Sequence, residues 1–439
     1  MKVKFDAYLE KHFHILYFVI LAAGTIFSVY YAGNQLLDGD QDQMLIKGYM
    51  GAYDGNWLPF GNYGSTVGNV PGYLSALVVG LPLMVWDSPW APMAFLIALR
   101  IVSVLMLDSV IKHYFSKPVR LVFALLVWFS TWMQYDNVLY NPSYLLFFAA
   151  LHFWTAFKMR EEVSFGYSFL HVLAIGMAMQ LHFSWPLLAF VSIYLLYRGL
   201  GKVSWFGVIA GVLVTGLSLV PYFLEMMNNE QIVQESDRYI GYGLTNVYPV
   251  LKSVLYWIRY GSMMFSNKAI ANSTFEWITT IEFARMALVY LWKGWVFGVG
   301  AFTVVISARY SWRLWKRVKS MIRKGENPPS FDDWLPLYAF GVFIAILACA
   351  ALAPITFNYW HLMLAYPFAI IPILYGVAAF IEAKPERFKL FAIIAICHLV
   401  AVNVVASNDS RKYKSSASYV EQVNQFVKDN HSVIYQSKQ

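Results

Sequence analysis

The chain has 439 residues, of which 59% are hydrophobic, 18% aromatic and only 13% charged. A soluble domain has about 45–50% apolar and about 25% charged residues, so this composition excludes both an ordinary water-soluble protein and a disordered chain. The abundance of aromatic residues is typical of membrane proteins, in which Trp and Tyr collect at the lipid–water boundary. The net charge of +8 is better explained by basic loops that orient a membrane protein than by binding to nucleic acid. We therefore predict an all-α polytopic membrane protein with no nucleic-acid partner.

Eleven apolar stretches are candidates for transmembrane helices, which need about 20 apolar residues to cross a hydrocarbon core of about 30 Å. They cover residues 14–33, 92–112, 119–135, 143–157, 166–182, 185–198, 204–223, 286–308, 334–353, 362–381 and 388–406. Together with two long loops, 34–91 and 224–285, they form one predicted membrane domain over residues 1–406. Residues 407–439 follow as a short polar tail.

A twelfth apolar stretch, residues 71–86, is short and contains Pro71, Gly72 and Pro82. If this stretch does not cross the membrane, the loops on one side hold 20 of the 33 Lys and Arg residues. If it does cross, the basic clusters that follow it move to the opposite side. The positive-inside rule therefore favours eleven spans, with the N-terminus in the cytoplasm, the C-terminus outside and residues 71–86 at the outer surface.

Three aspartates, Asp38, Asp40 and Asp42, stand just after the first predicted span. Close like charges raise one another's pKa, and they favour either a bound cation or a single carboxylate that accepts a proton. An acidic loop in contact with solvent is the alternative interpretation. The position of these residues, at the outer membrane boundary, makes this loop the first candidate for a functional site.

Polar segments outside the spans carry weaker patterns. In the tail, Tyr419, Val423 and Phe426 have helical spacing, and the sequence SVIY at 432–435 is typical of a strand. The basic run 309–329 predicts an amphipathic helix on the inner membrane surface. Three histidines within spans are predicted to be hydrogen-bond partners between helices; they are His152, His171 and His398.

An ordered set of short motifs resembles a known family. Asp40 is followed by Gly-Asn-Trp at 55–57, by Pro-Gly-Tyr at 71–73 and by Arg-Ile-Val-Ser at 100–103. This order is similar to that of GT-C class membrane glycosyltransferases, in the branch of protein O-mannosyltransferases and lipid A aminoarabinose transferases. In that family the proline-led segment is a jaw helix along the outer face, which agrees with the basic-residue count for residues 71–86.

The sequence departs from the family pattern at several points. Gln41 replaces the usual acidic neighbour of the aspartate. Asn141 stands where the family often has aspartate, and the nearby Asp136 is a candidate substitute. His182 falls where the family often carries a phosphate-binding lysine, and the segment that ends at His361 resembles a late Arg-Tyr-Leu-Leu-Pro stretch.

The resemblance implies an enzyme of the bacterial inner membrane that uses a polyprenyl-phosphate sugar donor at the outer face. Asp40 is then the general base that takes the proton of an acceptor hydroxyl, with inversion at the anomeric carbon. The acceptor is a lipid, a glycan or a protein, and Asp40 with Asp42 would hold any divalent cation, such as Mg²⁺ or Mn²⁺. The residues expected to contact the substrates are Asp38, Asp42, Asp136, Asn141, His182, His361, Arg100 and Arg259, with Lys252 and Lys268 as further cations on the outer face.

Two other classes of protein remain open at this point. A transporter or flippase for lipid-linked saccharides should carry polar residues near the bilayer midplane on several broken helices, whereas this chain has its aspartates at the membrane edge. An O-antigen polymerase or ligase, or a membrane acyltransferase, should carry arginine and histidine in a large late loop. The loop 224–285 contains Arg238, Arg259 and Arg285 but no histidine.

Overall fold

A computed structural model of the chain describes residues 8–34, 39–64, 68–135, 138–228, 247–264, 273–324, 330–353, 358–409 and 415–438. The helices are α1 (Phe13–Gly33), α2 (Gly39–Asp54), α3 (Leu74–Val85), α4 (Trp90–Ile111), α5 (Lys117–Trp128), α6 (Thr131–Tyr135), α7 (Leu145–Glu161), α8 (Phe165–Met179), α9 (Pro186–Tyr197), α10 (Trp205–Asn228), α11 (Val247–Tyr260), α12 (Glu282–Lys324), α13 (Phe331–Leu352), α14 (Tyr366–Ala369), α15 (Ile371–Ala383), α16 (Pro385–Asp409) and α17 (Ala417–Lys438). Two 3₁₀ helices, Asn141–Tyr144 and Tyr359–Ala365, accompany them. Strands β1 (Phe60–Gly64) and β2 (Gly68–Pro71) form an antiparallel hairpin.

Every predicted span falls on a helical segment, and the protein is an all-α polytopic membrane protein. Seven segments in the described chain are long and apolar enough to cross a bilayer. The other four predicted spans, which lie between residues 119 and 198, fall on shorter or interrupted helices. The predicted all-α class is therefore confirmed, whereas the predicted number of eleven crossings stays a prediction.

The break between α5 and α6 is stabilised by side chains from distant parts of the chain. Tyr366 donates its hydroxyl hydrogen toward the carbonyl oxygens of Leu126 and Val127, each at 3.0 Å. Asn403 Nδ2 donates to the oxygen of Phe129 at 2.8 Å. These donors satisfy carbonyl groups that a broken helix leaves without partners inside an apolar bundle.

Loop contacts divide the bundle into two ends. At one end, Trp334 Nε1 donates to Leu200 O (3.0 Å), Lys202 N donates to Met159 O (2.7 Å) and the ring of Tyr114 stacks on that of Phe331 (5.0 Å). These residues belong to the loops that were predicted to share the basic side. At the other end, Ser415 N donates to Asn34 O (3.2 Å), which joins the tail to the loop after α1. The contacts at the first end bring several loops of the predicted basic side together, whereas the orientation of the chain in the membrane stays a prediction.

We call α2, the β1–β2 hairpin and α3 together the jaw. With 12 residues, α3 is about 18 Å long and too short to cross a core of about 30 Å. Ser75, in its first turn, contacts Asn141, and Asp87, just beyond its last turn, binds Lys428 of α17. Both ends of α3 therefore lie at the same end of the bundle, which we call the jaw end.

The tail forms a single helix, α17, which packs on α2. The prediction of a strand at 432–435 is wrong, because these residues lie within the helix. Val420, Val427 and Ile434 recur at intervals of seven residues and are buried or partly buried. Burial of this stripe outweighs the weak preference of Val and Ile for strands.

The basic run after Arg309 does not form a separate helix. It continues the preceding span without a break, so that α12 has 43 residues. Between Ala301 and Lys324 the sequence has no glycine or proline to end the helix. The predicted helix is present over residues 309–324 as the last part of α12, and its position on the inner membrane surface stays a prediction.

Candidate active site

The first turn of α2 places Asp40 at the jaw end of the bundle. Asp40 and Asp42 both stand in this turn, where carboxylates interact favourably with the unpaired N–H groups of the helix. Asp40 is exposed, and its carbonyl oxygen accepts a hydrogen bond from Asn62 Nδ2 at 2.7 Å. Tyr63 N donates to Gln43 Oε1 at 3.0 Å. The hairpin is thereby fastened to α2 beside Asp40.

Lys47, two turns further along α2, is a buried cation that the sequence analysis did not select. It is 3% exposed, its ammonium donates to the carbonyl oxygen of Gly61, and it lies 5.3 Å from the centre of the Phe60 ring. Burial lowers the pKa of Lys47 to about 7, and the nearby charge of Asp40 opposes this shift. The one available signal was its position as the single lysine in an acidic loop.

The predicted cation site on Asp40 and Asp42 stays a prediction, since the two aspartates stand on different sides of α2. Residues two positions apart on a helix do not face each other, and Asp40 is exposed whereas Asp42 is half-buried. Asp38 lies outside the described residues. Within the described chain, no group of three or more His, Cys, Asp or Glu side chains is arranged to hold a metal ion.

The jaw rests on the ends of the bundle helices. A Cβ atom on Gly64 would lie only 2.6 Å from the ring of Phe183, so the turn of the hairpin touches the loop between α8 and α9. Ser75 Oγ lies 3.4 Å from both Asn141 Oδ1 and Gln180 O. The fold therefore places the predicted residue Asn141, which is buried, directly against the jaw.

His182 and His361, far apart in sequence, are neighbours in this region. Their ring centres are 5.6 Å apart. His182 Nδ1 accepts a hydrogen bond from Ser184 N (3.1 Å), and His361 Nδ1 accepts one from Asn358 N (2.9 Å). Because Nδ1 is an acceptor in both residues, each neutral imidazole carries its proton on Nε2.

Two cationic side chains lie on one face of α11. Lys252 and Arg259 are seven residues apart, which is two helical turns. The guanidinium of Arg259 lies 5.3 Å from the centre of the Trp132 ring and 5.5 Å from that of Tyr256. Its Nε is buried without a hydrogen-bond partner in the described chain. Burial lowers the pKa of both residues, and for Lys252 the charge of Arg259 adds to this effect.

An aromatic contact connects α11 to the histidine pair. Trp132 touches both Arg259 and Tyr359, and the ring centres of Trp132 and Tyr359 are 5.5 Å apart. Tyr359 precedes His361 by two residues, and Lys252 acts electrostatically on His361. We name the resulting set of N–H donors the N–H cluster; it consists of His182, His361, Lys252 and Arg259. No carboxylate of the described chain forms an ion pair with Lys252 or Arg259, so the cluster is suited to binding an anion such as phosphate.

Arg100 does not belong to the N–H cluster, because its guanidinium binds backbone carbonyl oxygens. It is 2% exposed, and it donates to the carbonyl oxygens of Met133 (2.8 Å) and Ser143 (3.2 and 3.3 Å). These bonds join α4 to the ends of two short helical segments. Arg100 therefore stabilises the interrupted region of the bundle. Two other predicted residues, Asp136 and Lys268, lie outside the described residues.

A cavity of about 520 Å³ lies between the jaw and the last turns of α10. It is formed by residues 56–60, by Tyr73, by the last turns of α10 and by Tyr435 of α17. Of the residues expected to contact the substrates, none that the structure describes lines it. Its walls come from three separate parts of the chain, which meet only in the folded protein.

Comparison with known proteins identifies the fold. No family model and no curated protein matches the chain. The apo crystal structure of ArnT from Cupriavidus metallidurans is similar, with a TM-score of 0.52 and 14% identity over 94% of this chain and 69% of that one. For the same protein bound to undecaprenyl phosphate, the TM-score is 0.50 and the identity 15%, over 94% of this chain and 71% of that one. The Archaeoglobus fulgidus oligosaccharyltransferase in complex with Zn and sulfate has a TM-score of 0.45 and 13% identity, over 90% and 53% of the two chains.

The similarity to ArnT covers nearly the whole chain and includes the bundle together with the jaw. It agrees with the resemblance that the motifs around Asp40 indicate. The chain has a GT-C-like fold.

Proposed function

We propose that this protein is a membrane glycosyltransferase that moves a sugar from a polyprenyl-phosphate donor to the hydroxyl group of an acceptor. The observation that carries the proposal is the N–H cluster, which gathers two cations and two histidines beside the jaw without a carboxylate paired to either cation in the described chain. A phosphate that gains negative charge as it leaves needs such donors. The fold supports the proposal, since ArnT, which shares it, has been crystallised with undecaprenyl phosphate.

In the proposed reaction, the acceptor oxygen attacks the anomeric carbon as Asp40 takes its proton. The bond between the anomeric carbon and the phosphate oxygen breaks, and its electron pair stays on the polyprenyl phosphate. The products are a glycoside, with inverted configuration, and polyprenyl phosphate. Arg259 and Lys252 stabilise the departing phosphate by charge, and the two histidines donate hydrogen bonds from Nε2.

Replacing Asp40 by asparagine tests the assignment of the base. The Asp40→Asn variant keeps the shape of the side chain but cannot accept the proton, and general-base catalysis contributes about 10²–10⁴-fold. We expect transfer from a radiolabelled polyprenyl-phosphate sugar to fall by at least about 100-fold, with donor binding unchanged. Asp332→Asn is the matched control, because Asp332 is also an exposed aspartate in the first turn of a helix. Full activity of Asp40→Asn in purified protein would rule out Asp40 as the base.

Binding of undecaprenyl phosphate tests the N–H cluster separately from catalysis. Loss of a charged hydrogen bond costs about 1.5–3 kcal/mol, so Arg259→Ala should weaken binding in lipid nanodiscs by about 10- to 100-fold. The control is Arg285→Ala, which removes an arginine that is instead paired with Glu276 (3.3 Å). Undecaprenol, which lacks the phosphate, should bind equally to both variants and to the unmodified protein. Equal affinity for the phosphate and the alcohol would contradict the proposed function.

A further inference from the structure

The cavity beside the jaw has the size and lining of a site for a small polar ligand. Its volume of about 520 Å³ is within the range of about 300–1,000 Å³ that is typical of small-molecule pockets. Aromatic rings come from Trp57, Tyr73 and Tyr435, and polar groups come from Asn56, Asn228 and Glu225. Rings beside amides and a carboxylate suit a molecule that has apolar faces and many hydroxyl groups.

The rings of this cavity are held in place by the surrounding helices. A Cβ atom on Gly51 would lie 2.5 Å from the Trp57 ring, and one on Gly80 would lie 2.8 Å from it. Trp57 therefore fits between α2 and α3 because both positions are glycine. Tyr435 reaches the cavity from α17, whose residues His431 and Ser432 bind Asp54 at the end of α2. The wall that the tail contributes is thus attached to the jaw.

The charge of the cavity restricts which ligands it accepts. Its lining includes one acidic side chain, Glu225, and no lysine or arginine. Glu225 is half-buried and forms no ion pair or hydrogen bond with any part of the chain that the structure describes. A ligand with a carboxylate or phosphate would meet an uncompensated like charge, whereas a hydroxyl or ammonium group would satisfy Glu225.

We propose that this cavity is a subsite for a neutral or amino-substituted saccharide that forms part of the acceptor. That the bound saccharide belongs to the acceptor rests on the proposed function, whereas the binding of a saccharide in this cavity does not. Lys47 is about 10 Å from Asp40 along α2 and binds Gly61, next to Phe60 in the cavity wall. The cavity therefore holds a sugar unit of the acceptor at a distance from the reacting hydroxyl, and it selects the acceptor rather than taking part in the chemistry.

Three methyl glycosides that differ at one group test the site in the purified full chain. Methyl glucoside is neutral, methyl glucosaminide carries an ammonium group and methyl glucuronide carries a carboxylate. Binding is measured by saturation-transfer NMR in lipid nanodiscs without any sugar donor. We expect the first two to bind and the glucuronide to bind at least about tenfold more weakly, which corresponds to about 1.4 kcal/mol. Absence of binding by all three, or equal binding of the glucuronide, would overturn the proposal.

Two variants identify the cavity as the place of binding. Glu225→Gln should reduce the preference for glucosaminide over glucoside by about fivefold, because a charge-assisted hydrogen bond becomes a neutral one. Tyr435→Ala should weaken both ligands by about tenfold, and Tyr419→Ala is its control, since Tyr419 is an exposed tyrosine on the same helix outside the cavity. Binding that neither Glu225→Gln nor Tyr435→Ala alters would place the saccharide elsewhere and refute the site.

Undecaprenyl phosphate, added to the same nanodiscs, separates the two proposals. If the lipid phosphate binds and no glycoside does, the saccharide subsite is wrong and the proposed function stands. If glycosides bind with the expected preference and the lipid phosphate does not, the saccharide site stands, but its role as an acceptor site falls with the proposed function.

Discussion

At the scale of single residues, two histidines inside the bundle share one hydrogen-bond network. Ser192 Oγ donates to the carbonyl oxygen of Leu188 at 2.9 Å, so it can only accept from His152 Nε2 and His171 Nε2, both also at 2.9 Å. The Nδ1 atom of His152 then accepts from the hydroxyl group of Tyr338 at 2.9 Å. Both ring nitrogens of His152 therefore have partners, and His171 Nδ1 lies 3.0 Å from Thr155 Oγ1. The two histidines join helices, as the sequence predicts, and they do not form the open polar path that a transporter needs.

Lys47 gives the jaw a pH-dependent stability. Its pKa in the folded protein is about 7, below the ordinary value of 10.5, because the ammonium is buried. Between these two values the unfolded chain binds more protons than the folded chain, so stability should rise as the pH increases from about 7 to about 10.5. Lys47→Met should remove this rise in the thermal unfolding temperature. The control is Lys319→Met at an exposed position, and an unchanged pH profile in Lys47→Met would show that the ammonium is not buried.

The candidate residues were partly predictable from the sequence. Asp40 was found because a run of aspartates beside an apolar span is visible in one short segment. The pairing of His182 with His361 was not predictable, because 179 residues separate them and only the 3₁₀ helix at Tyr359–Ala365 brings them together. For Lys47, the sequence shows the charge, but its burial depends on the hairpin that folds over α2.

At the scale of secondary-structure elements, the contact between α17 and the jaw combines an apolar stripe with exposed polar bonds. Lys428 binds Asp87 at 2.7 Å, and Tyr53 also donates to this carboxylate. The hydrogen bond from Lys428 lowers the pKa of Asp87, and that from Tyr53 adds to the shift. Exposed ion pairs contribute only about 0–1 kcal/mol each. Burial of Val420 and Val427 should therefore dominate the attachment of the tail helix.

Hydrogen exchange of residues 417–438 tests whether the apolar stripe contributes more than the ion pair to the attachment of α17. Val427→Asp places an unpaired charge in a buried position, so it should detach α17 and speed amide exchange by at least about tenfold along the helix. Val433→Asp, at a position that is 67% exposed on the same helix, should leave exchange unchanged. Lys428→Met should change it by no more than about fivefold. If Lys428→Met speeds exchange as much as Val427→Asp does, the ion pair and not the apolar stripe holds the tail.

At the scale of the whole molecule, the sequence indicates which loops lie together better than it indicates the number of crossings. Basic residues indicate the side on which a loop lies, and this indication does not depend on the length or continuity of the helices. Hydropathy reports composition, but it does not show that α5 ends at Trp128, because Tyr366 and Asn403 supply the missing hydrogen bonds from more than 200 residues away. The same limit hid the cavity, whose walls meet only in the folded chain.

The unbroken length of α12 limits how this helix can lie in the bilayer. Its 43 residues span about 64 Å at 1.5 Å per residue, whereas a bilayer with its headgroups is about 40–45 Å thick. An upright helix would therefore project about 20 Å into water, and only a tilt of about 45° or more would keep it inside the lipid. Near the basic end, Arg317 forms an ion pair with Asp333 at the start of the following helix, so an upright α12 would hold its positive charges at a fixed distance from the bilayer.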